Sequence, residues 1–94
     1  MILQIVDNTI RPEMESIYLA AAKAFAADST QNDAGCLWMT VFRREGQPDH
    51  VYIISSWESE EAMQASTTFL KYKAELKPAF LGNKTTLLKT EPNQ

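Results

Sequence analysis

Two short segments read as strands that are apolar on both faces, which constrains the fold more than any other feature. In the segment 36–43, Cys36, Trp38, Thr40 and Phe42 are expected to share one face, and Leu37, Met39 and Val41 the other. The segment 51–57 is also apolar on both sides. A sheet that is covered on one face only alternates apolar with polar residues. We therefore expect both faces of this sheet to be covered.

The chain has 94 residues, which is enough for one core but not for two. Residues 1–94 are therefore predicted to form a single domain, in which two helices cover one face of the sheet. We expect a second copy of the chain to cover the other face, so that the protein is a homodimer through the sheet face.

The order of the elements is predicted to be β-α-β-β-α-β, an α+β ferredoxin-like sandwich. Strands are expected at 2–9, 36–43, 51–57 and 84–90. A first helix is expected to begin at Pro12 and to end in the polar stretch 28–33. A second begins after Ser59, with Pro78 and the pair Gly82-Asn83 closing the helical region.

The composition excludes several classes of function. The formal net charge is −3, and the late lysines alternate with apolar residues, so no basic stripe is available for nucleic acid. No apolar run reaches the roughly 18 residues of a membrane span. The single Cys36 has no Cys/His cluster around it for zinc or iron–sulfur, and the chain has no glycine-rich phosphate loop, so no cofactor is expected. The first residues lack the pattern of a signal peptide, which predicts a cytoplasmic protein.

Two stretches resemble the antibiotic biosynthesis monooxygenase family. Gly35-Cys36-Leu37 leads into a strand, and Ser56-Trp57-Glu58-Ser59-Glu60-Glu61-Ala62-Met63 is a strand ending in Trp that runs into an acidic helix start. The resemblance extends in order and spacing over nearly the whole chain, and it implies a dimeric α+β barrel. Some members of this family oxidise quinol-like or polycyclic phenols with O2 and no added cofactor. Others bind and degrade heme, and many have no assigned reaction.

This chain shares only one of the residues that are typical of the heme-degrading branch of the family. Asn8 matches an Asn of the first strand, but Ser66 stands where that branch has a Trp, and Leu76 where it has a His. Another His found in the family also falls on Ser66. Because neither position carries an imidazole, the chain lacks the axial ligand of the heme iron. His50, the only histidine, is predicted to be exposed at the end of a hairpin, so heme degradation is disfavoured.

Asn8 is the strongest candidate for a catalytic residue. Asn is depleted in strands, and Asn8 shares a face with Ile2 and Val6. Its amide could bind a substrate oxygen or a developing oxyanion. Alternatively, Asn8 ends the strand and hydrogen-bonds its own backbone. Tyr72 is predicted as a second catalytic, hydrogen-bonding group, although packing in the core with a satisfied hydroxyl is the more ordinary role for a tyrosine on a helix face.

The remaining candidates are predicted to bind substrate rather than to react. They are the aromatic residues and one hydroxyl that could line a pocket: Tyr18, Trp38, Phe42, Trp57 and Ser66. Each has an alternative role, because Trp57 could pack at the strand-to-helix junction and the other aromatic residues could fill the core or the dimer seam. Whether Ser66 replaces a lost base stays open.

The sequence favours a cofactor-independent monooxygenase that binds a small aromatic or quinol-like molecule between its sheet and its helices. The alternative is a dimeric binding module of the same fold without turnover. An isomerase of the same superfamily would need an acid–base pair, which the sequence does not reveal. An open cavity on which Asn8 and a Tyr converge would favour the enzyme, whereas Asn8 bonded to the backbone in a packed core would favour the binding module.

Overall fold

A computed structural model describes residues 1–92 as one sheet with helices on one face. The four strands are β1 (Ile2–Ile10), β2 (Cys36–Arg44), β3 (Gln47–Trp57) and β4 (Phe80–Lys89). The helices are α1 (Glu15–Asn32), α2 (Glu60–Ala65) and α3 (Lys73–Leu76), with single 3-10 turns at Pro12–Met14, Thr68–Lys71 and Lys77–Ala79. The predicted α+β ferredoxin-like fold is confirmed. None of the helices in this part of the chain is long and apolar enough to cross a membrane.

The sheet is antiparallel in the order β2-β3-β1-β4, so β1 and β3 are central and β4 is an edge strand. Its two faces differ in what covers them. The helices pack on the inner face, while the outer face lies open in the single chain. The molecule is 17 Å thick along its shortest axis, which is about the thickness of one sheet and one helical layer.

The core forms between α1 and the inner face of β1–β3. Tyr18 and Ala22 of α1 are fully buried, and Trp57 and Val51 of β3 are at most 2% exposed. Three alanines of α1 are also buried in this core: Ala21, Ala22 and Ala26. Leu76, 1% exposed, is the point at which α3 joins this core.

The first helix ends within the predicted polar stretch 28–33, since α1 continues to Asn32. The polar residues of this stretch hydrogen-bond within the helix. Asn32 Nδ2 donates to Asp28 Oδ1 at 2.8 Å, and Thr30 Oγ1 donates to the carbonyl oxygen of Ala26 at 2.8 Å. Both bonds connect residues four apart, so these side chains support the helix instead of terminating it.

The predicted start of the last strand is wrong, since β4 begins at Phe80 and not at residue 84. Gly82 and Asn83 are paired with Thr9 and Asn8 of β1 instead of closing a helix. The predicted hairpin loop is shorter than expected. β2 and β3 are joined at Glu45 and Gly46, and Gly46 has the positive φ of +79° that tight hairpin turns require.

A bulge at the start of β2 changes which residues share a face. The pairing with β3 shifts between Cys36 and Trp38, so Leu37 is the extra residue. Cys36 consequently faces the core with Met39, while Trp38 and Phe42 face outward. The prediction that Cys36 shares a face with Trp38 is wrong for this reason.

The outer face is not apolar throughout. His50 lies on it, and its Nδ1 is 2.9 Å from Asp7 Oδ1 on the neighbouring strand. The side chains of His50 and Asp7 are 25% and 22% exposed, so the predicted exposure of His50 is wrong. The pair makes one end of this face polar.

Candidate functional site

A cavity of about 260 Å³ lies between the inner face of the sheet and the helices. Its apolar wall comes from α1, β2, β3 and the segment 66–80, and its polar wall from β1 and β4. The lining residues are Gln4, Val6, Asn8, Phe25, Met39, Ile53, Phe69, Leu76, Phe80, Asn83 and Thr85. The cavity therefore offers an apolar surface to a ring and a line of polar groups along one edge of it.

Asn8 is the most buried polar group of this cavity. Its side chain is 1% exposed, and it projects from β1 between Val51 and Asn83 of the two neighbouring strands. Asn8 Nδ2 donates to the Tyr18 hydroxyl oxygen at 2.6 Å, and Asn8 Oδ1 accepts from Asn83 Nδ2 at 2.6 Å. The amide is thus held by two side chains, and its side chain is not used to cap its own strand.

Tyr18 lies behind Asn8 rather than in the cavity wall. Burial raises the pKa of the Tyr18 phenol to about 12, although the hydrogen bond from Asn8 lowers it in part. A phenol with this pKa stays protonated near neutral pH, so it does not act as a base there. Tyr18 instead holds Asn8, and Phe80 packs edge-on against it with the ring centroids 6.1 Å apart.

Tyr72 does not line the cavity, because its hydroxyl is engaged elsewhere. It donates to Asp28 Oδ2 of α1 at 2.8 Å, and this carboxylate raises the pKa of the Tyr72 phenol. The Tyr72 ring packs against Phe25, which does line the cavity, with the centroids 5.9 Å apart. Tyr72 therefore supports the wall from behind, and no hydrogen bond from it to a ligand is available in this conformation.

Ser66 also has a partner outside the cavity. Its hydroxyl donates to Asp33 Oδ2 at 2.7 Å, and the hydroxyl of Thr68 donates to Asp33 Oδ1 at 2.6 Å. Burial raises the pKa of the Asp33 carboxyl, but the bonds from Thr68 and Ser66 outweigh it and bring the pKa below its usual value. Asp33 and Asp28 together fasten the segment 66–72 to α1, and this segment carries Phe69 over the cavity.

Three aromatic residues that were predicted to bind substrate do not line the cavity: Trp38, Phe42 and Trp57. Trp57 is 2% exposed, and its indole Nε1 donates to Ser55 Oγ at 2.9 Å at the strand-to-helix junction. Trp38 and Phe42 lie on the opposite face of the sheet, where they are 38% and 45% exposed. The prediction that Trp38 and Phe42 line a cavity between the sheet and the helices is wrong, since the bulge and the strand alternation turn them outward.

Several lining residues escaped the sequence analysis. Gln4 and Val6 share the inner face of β1 with Asn8, so strand alternation alone could have identified them. Asn83 could not be identified in this way, because residues 82–83 read as the end of a helix, and Thr85 lay in a predicted strand whose inner face was not assigned. Phe25 and Phe69 carried only a helical-stripe signal, which core residues carry equally.

The cavity wall holds amides and one hydroxyl, but no carboxylate, imidazole or amine among the residues that line it. Within residues 1–92 there is also no cluster of His, Cys, Asp or Glu that could hold a metal ion. The site therefore can bind and orient a ligand oxygen through neutral donors, and the described lining residues do not include an ordinary general base.

One family model and several solved structures match this chain. A model of the family described as antibiotic biosynthesis monooxygenase matches residues 1–74. A solved antibiotic biosynthesis monooxygenase is 21% identical with a TM-score of 0.84, over 98% of this chain and 100% of that one. Proposed members from Nitrosomonas europaea and Deinococcus radiodurans have TM-scores of 0.86 and 0.84.

The Nitrosomonas protein is 11% identical over 96% of this chain and 98% of its own. The Deinococcus protein is 20% identical over 100% of this chain and 96% of its own. At these identities the structures establish a shared fold. A search of curated proteins gave no significant match.

Proposed function

The chain belongs to the antibiotic biosynthesis monooxygenase family, and we propose that it oxygenates a small aromatic or quinol-like molecule with O2 and no added cofactor. The observation that carries this proposal is the position of Asn8. A buried amide, fixed by Tyr18 and Asn83, borders an otherwise mostly apolar cavity. Such a group can hold the oxygen of a phenolic substrate and stabilise the negative charge that forms when the phenol ionises.

The volume of the cavity supports a small substrate. Ligand sites for drug-sized molecules enclose roughly 300–1,000 Å³, and this cavity of about 260 Å³ lies just below that range. One ring or two fused rings would fit, with the apolar surface toward Phe25 and Phe69 and an edge toward Asn8.

On a phenol whose ring carries hydrogen opposite the phenolic oxygen, the reaction we propose converts that C–H carbon into a carbonyl carbon. One oxygen atom of O2 enters the product, and the other leaves as water with the two hydrogens that the substrate loses. The substrate supplies all four electrons, so the protein contributes binding, orientation and a water-poor environment. Transfer of the first electron to O2 requires the electron-rich phenolate, and the N–H groups at Asn8 favour that ionised form.

The proton of the phenol leaves without a titratable group in the described cavity wall. Asn8, Gln4, Asn83 and Thr85 do not exchange protons in the ordinary pH range, and Tyr18 is held protonated by its pKa of about 12. We therefore expect the rate to follow the ionisation of the substrate. Across a series of substituted naphthols, the pH at half-maximal rate should move with the pKa of the substrate.

The second candidate is a binding module that holds the same kind of molecule without turnover. The absence of a base among the described lining residues favours it. The fixed Asn8 serves binding as well as it serves catalysis, so the two candidates differ in turnover and not in the site.

We also propose that the protein is a homodimer through the outer face of the sheet. Trp38 and Phe42 are 38% and 45% exposed there, and Leu88 is 49% exposed. An apolar patch of large side chains on a two-layer protein of this size is typical of an interface. We place the dimer in the cytoplasm, where the thiol of Cys36, buried in the core, stays reduced.

The test is oxygen uptake by purified, metal-free protein with a panel of quinols and hydroxylated naphthalenes. Asn8→Ala removes the amide, and Asn8→Leu removes it while keeping most of the side-chain volume. Asn32→Ala is the matched control, because Asn32 is exposed on α1 and outside the cavity. Circular dichroism is used to check that each variant folds.

Protein-dependent uptake that both Asn8 variants lose and Asn32→Ala keeps would support the oxygenase. Uptake equal to autoxidation, together with saturable binding of the same compounds by wild type, would instead support the binding module. Saturable binding that persists unchanged in Asn8→Leu would contradict both.

A further inference from the structure

The cavity has a second polar end, which Gln4 forms. Gln4 and Asn8 both line the cavity, and both lie on the inner face of β1 with Val6 between them. The two residues are four positions apart in an extended strand, so their Cα atoms are separated by about 13 Å, at about 3.3 Å per residue. The cavity therefore runs along β1 and has an amide at each end.

The surface between the two amides is mostly apolar. Val6 is paired with Ile53 of β3, and both line the cavity. Phe25 and Phe69 also line it and pack edge-on against each other, with the ring centroids 5.8 Å apart. On the other side of Val6, the exposed Thr85 of the edge strand adds one hydroxyl at the middle of the cavity. A ligand that lies along β1 thus meets apolar side chains along its length and an amide at either end.

Gln4 is held beside the cavity by a weak contact. Ser55 Oγ donates to Gln4 Oε1 at 3.5 Å, which is at the long limit of a hydrogen bond. The same Ser55 oxygen accepts from Trp57 Nε1 at 2.9 Å, so Trp57 fixes the hydroxyl next to Gln4. The Gln4 amide has two N–H donors and one acceptor oxygen, so it can bond a ligand hydroxyl or carbonyl whichever way it turns.

Asn8 also keeps bonding capacity for a ligand. A primary amide offers two N–H donors and two lone pairs on its oxygen. The bonds to Tyr18 and Asn83, each 2.6 Å long, use two of these four positions. The other two are available in either orientation of the amide, so the argument for two polar ends does not depend on which of them faces the cavity.

We propose that Gln4 is a specificity-determining residue that binds the second oxygen of an elongated ligand, so that the cavity selects two fused rings with an oxygen at each far end. The inference rests on the proposed function, since it assumes that the first oxygen binds at Asn8. One hydrogen bond of about 2.9 Å at each end leaves about 7 Å of the separation for the distance between the two ligand oxygens. A single ring places its two oxygens closer together than this, and two fused rings span it.

Two probes differ only at the end that would reach Gln4. 2-Naphthol and 2,6-dihydroxynaphthalene share the first hydroxyl, and only the second compound carries an oxygen at the far end of the other ring. Binding is measured by NMR titration of isotope-labelled protein without O2, so that no turnover takes place. The ratio of the two affinities is compared within each variant, because a general loss of affinity cancels in this ratio.

The variant Gln4→Met removes the amide and keeps the length of the side chain. Gln4→Leu is a second apolar replacement of different shape, so the result does not depend on the folding of one variant, and the same NMR spectra report the fold of each. The matched control is Gln64→Met, the same change at an exposed position of α2 that does not line the cavity. Asn8→Leu is measured beside them, because it tests the first anchor separately.

Wild type and Gln64→Met are expected to bind 2,6-dihydroxynaphthalene more tightly than 2-naphthol by roughly tenfold, about the size of one net hydrogen bond. The ratio should fall to one or below in both Gln4 variants, whereas the affinity for 2-naphthol should change little in them and fall in Asn8→Leu. No preference in wild type, or a preference that both Gln4 variants keep while Asn8→Leu weakens binding, would overturn the role of Gln4 and leave the proposed function standing. No binding of either probe to wild type would overturn the proposed function together with this inference.

Discussion

Replacing Tyr18 by Phe removes one hydroxyl from the centre of the fold and should cost stability at neutral pH. Tyr18 is fully buried, and its oxygen accepts from Asn8 Nδ2 at 2.6 Å. Without that oxygen, a donor of Asn8 is left unsatisfied in a position that is 1% exposed. A buried polar group that loses its partner costs about 1–3 kcal/mol. In a domain of this size, each kcal/mol lowers the melting temperature by roughly 4–8 °C.

The same substitution should matter less as the pH rises. Burial raises the folded-state pKa of Tyr18 to about 12, whereas an unfolded tyrosine ionises near pH 10. The unfolded state therefore releases the proton first, and the contribution of Tyr18 to stability is complete below pH 10 and declines above it. At 1.36 kcal/mol per unit, the full loss is about 2.7 kcal/mol, of which about half is reached at pH 11.

The assay is urea unfolding of wild type and Tyr18→Phe at pH 7.5 and pH 11. Other tyrosines and the lysines titrate in both proteins and cancel in the difference. The stability gap between the two should shrink by about 1.4 kcal/mol between these pH values. Tyr52→Phe, the same change on the outer face, should cost less at pH 7.5. Equal stability of wild type and Tyr18→Phe at pH 7.5, or a gap that widens at pH 11, would refute the reasoning.

Three further predictions concern the scaffold. Gly35→Ala should lower the melting temperature more than Gly46→Ala, because both have positive φ but only at Gly35 would the new Cβ meet another atom, Ala62 Cβ at 2.6 Å; equal effects would contradict this. Asp33→Asn should flatten the loss of stability below about pH 4, since the folded pKa of Asp33 is lowered and its contribution disappears on protonation; acid titrations followed by circular dichroism test this. Leu76→Ala should cost about 2–5 kcal/mol in urea unfolding, and a cost below 1 kcal/mol would show that α3 is not part of the core.

The strands were predictable because a period of two is visible over a few residues. Residues 36–43 and 51–57 were placed correctly to within a few positions at each end. The bulge at Leu37 was not predictable, since one extra residue in a strand leaves no compositional trace. Its effect was large, because it decides which of Cys36 and Trp38 faces the core.

The candidate site was predictable only where a residue contradicts its surroundings. Asn8 was indicated by the sequence because Asn is depleted in strands. Asn83 follows Gly82, and that pair is typical of a helix end because both residues tolerate positive φ. In the structure Gly82 lies in an edge strand and does not have a positive φ. The partnership of Asn8 and Asn83 depends on strand register, which becomes known only once the sheet is assembled.

The position of β4 has a consequence for how the affinity of a ligand would be measured. Its inner face lines the cavity with Asn83 and Thr85, and its outer face carries Leu88 among the exposed apolar residues. A second chain that covers this strand and a ligand that binds beside it would share one structural element, through which each can change the binding free energy of the other. Linkage is reciprocal: if a ligand raises the dimerisation constant by some factor, dimerisation raises the affinity for the ligand by the same factor. The apparent dissociation constant of a ligand would then depend on protein concentration, and titrations of dilute and concentrated samples would report different values for one site.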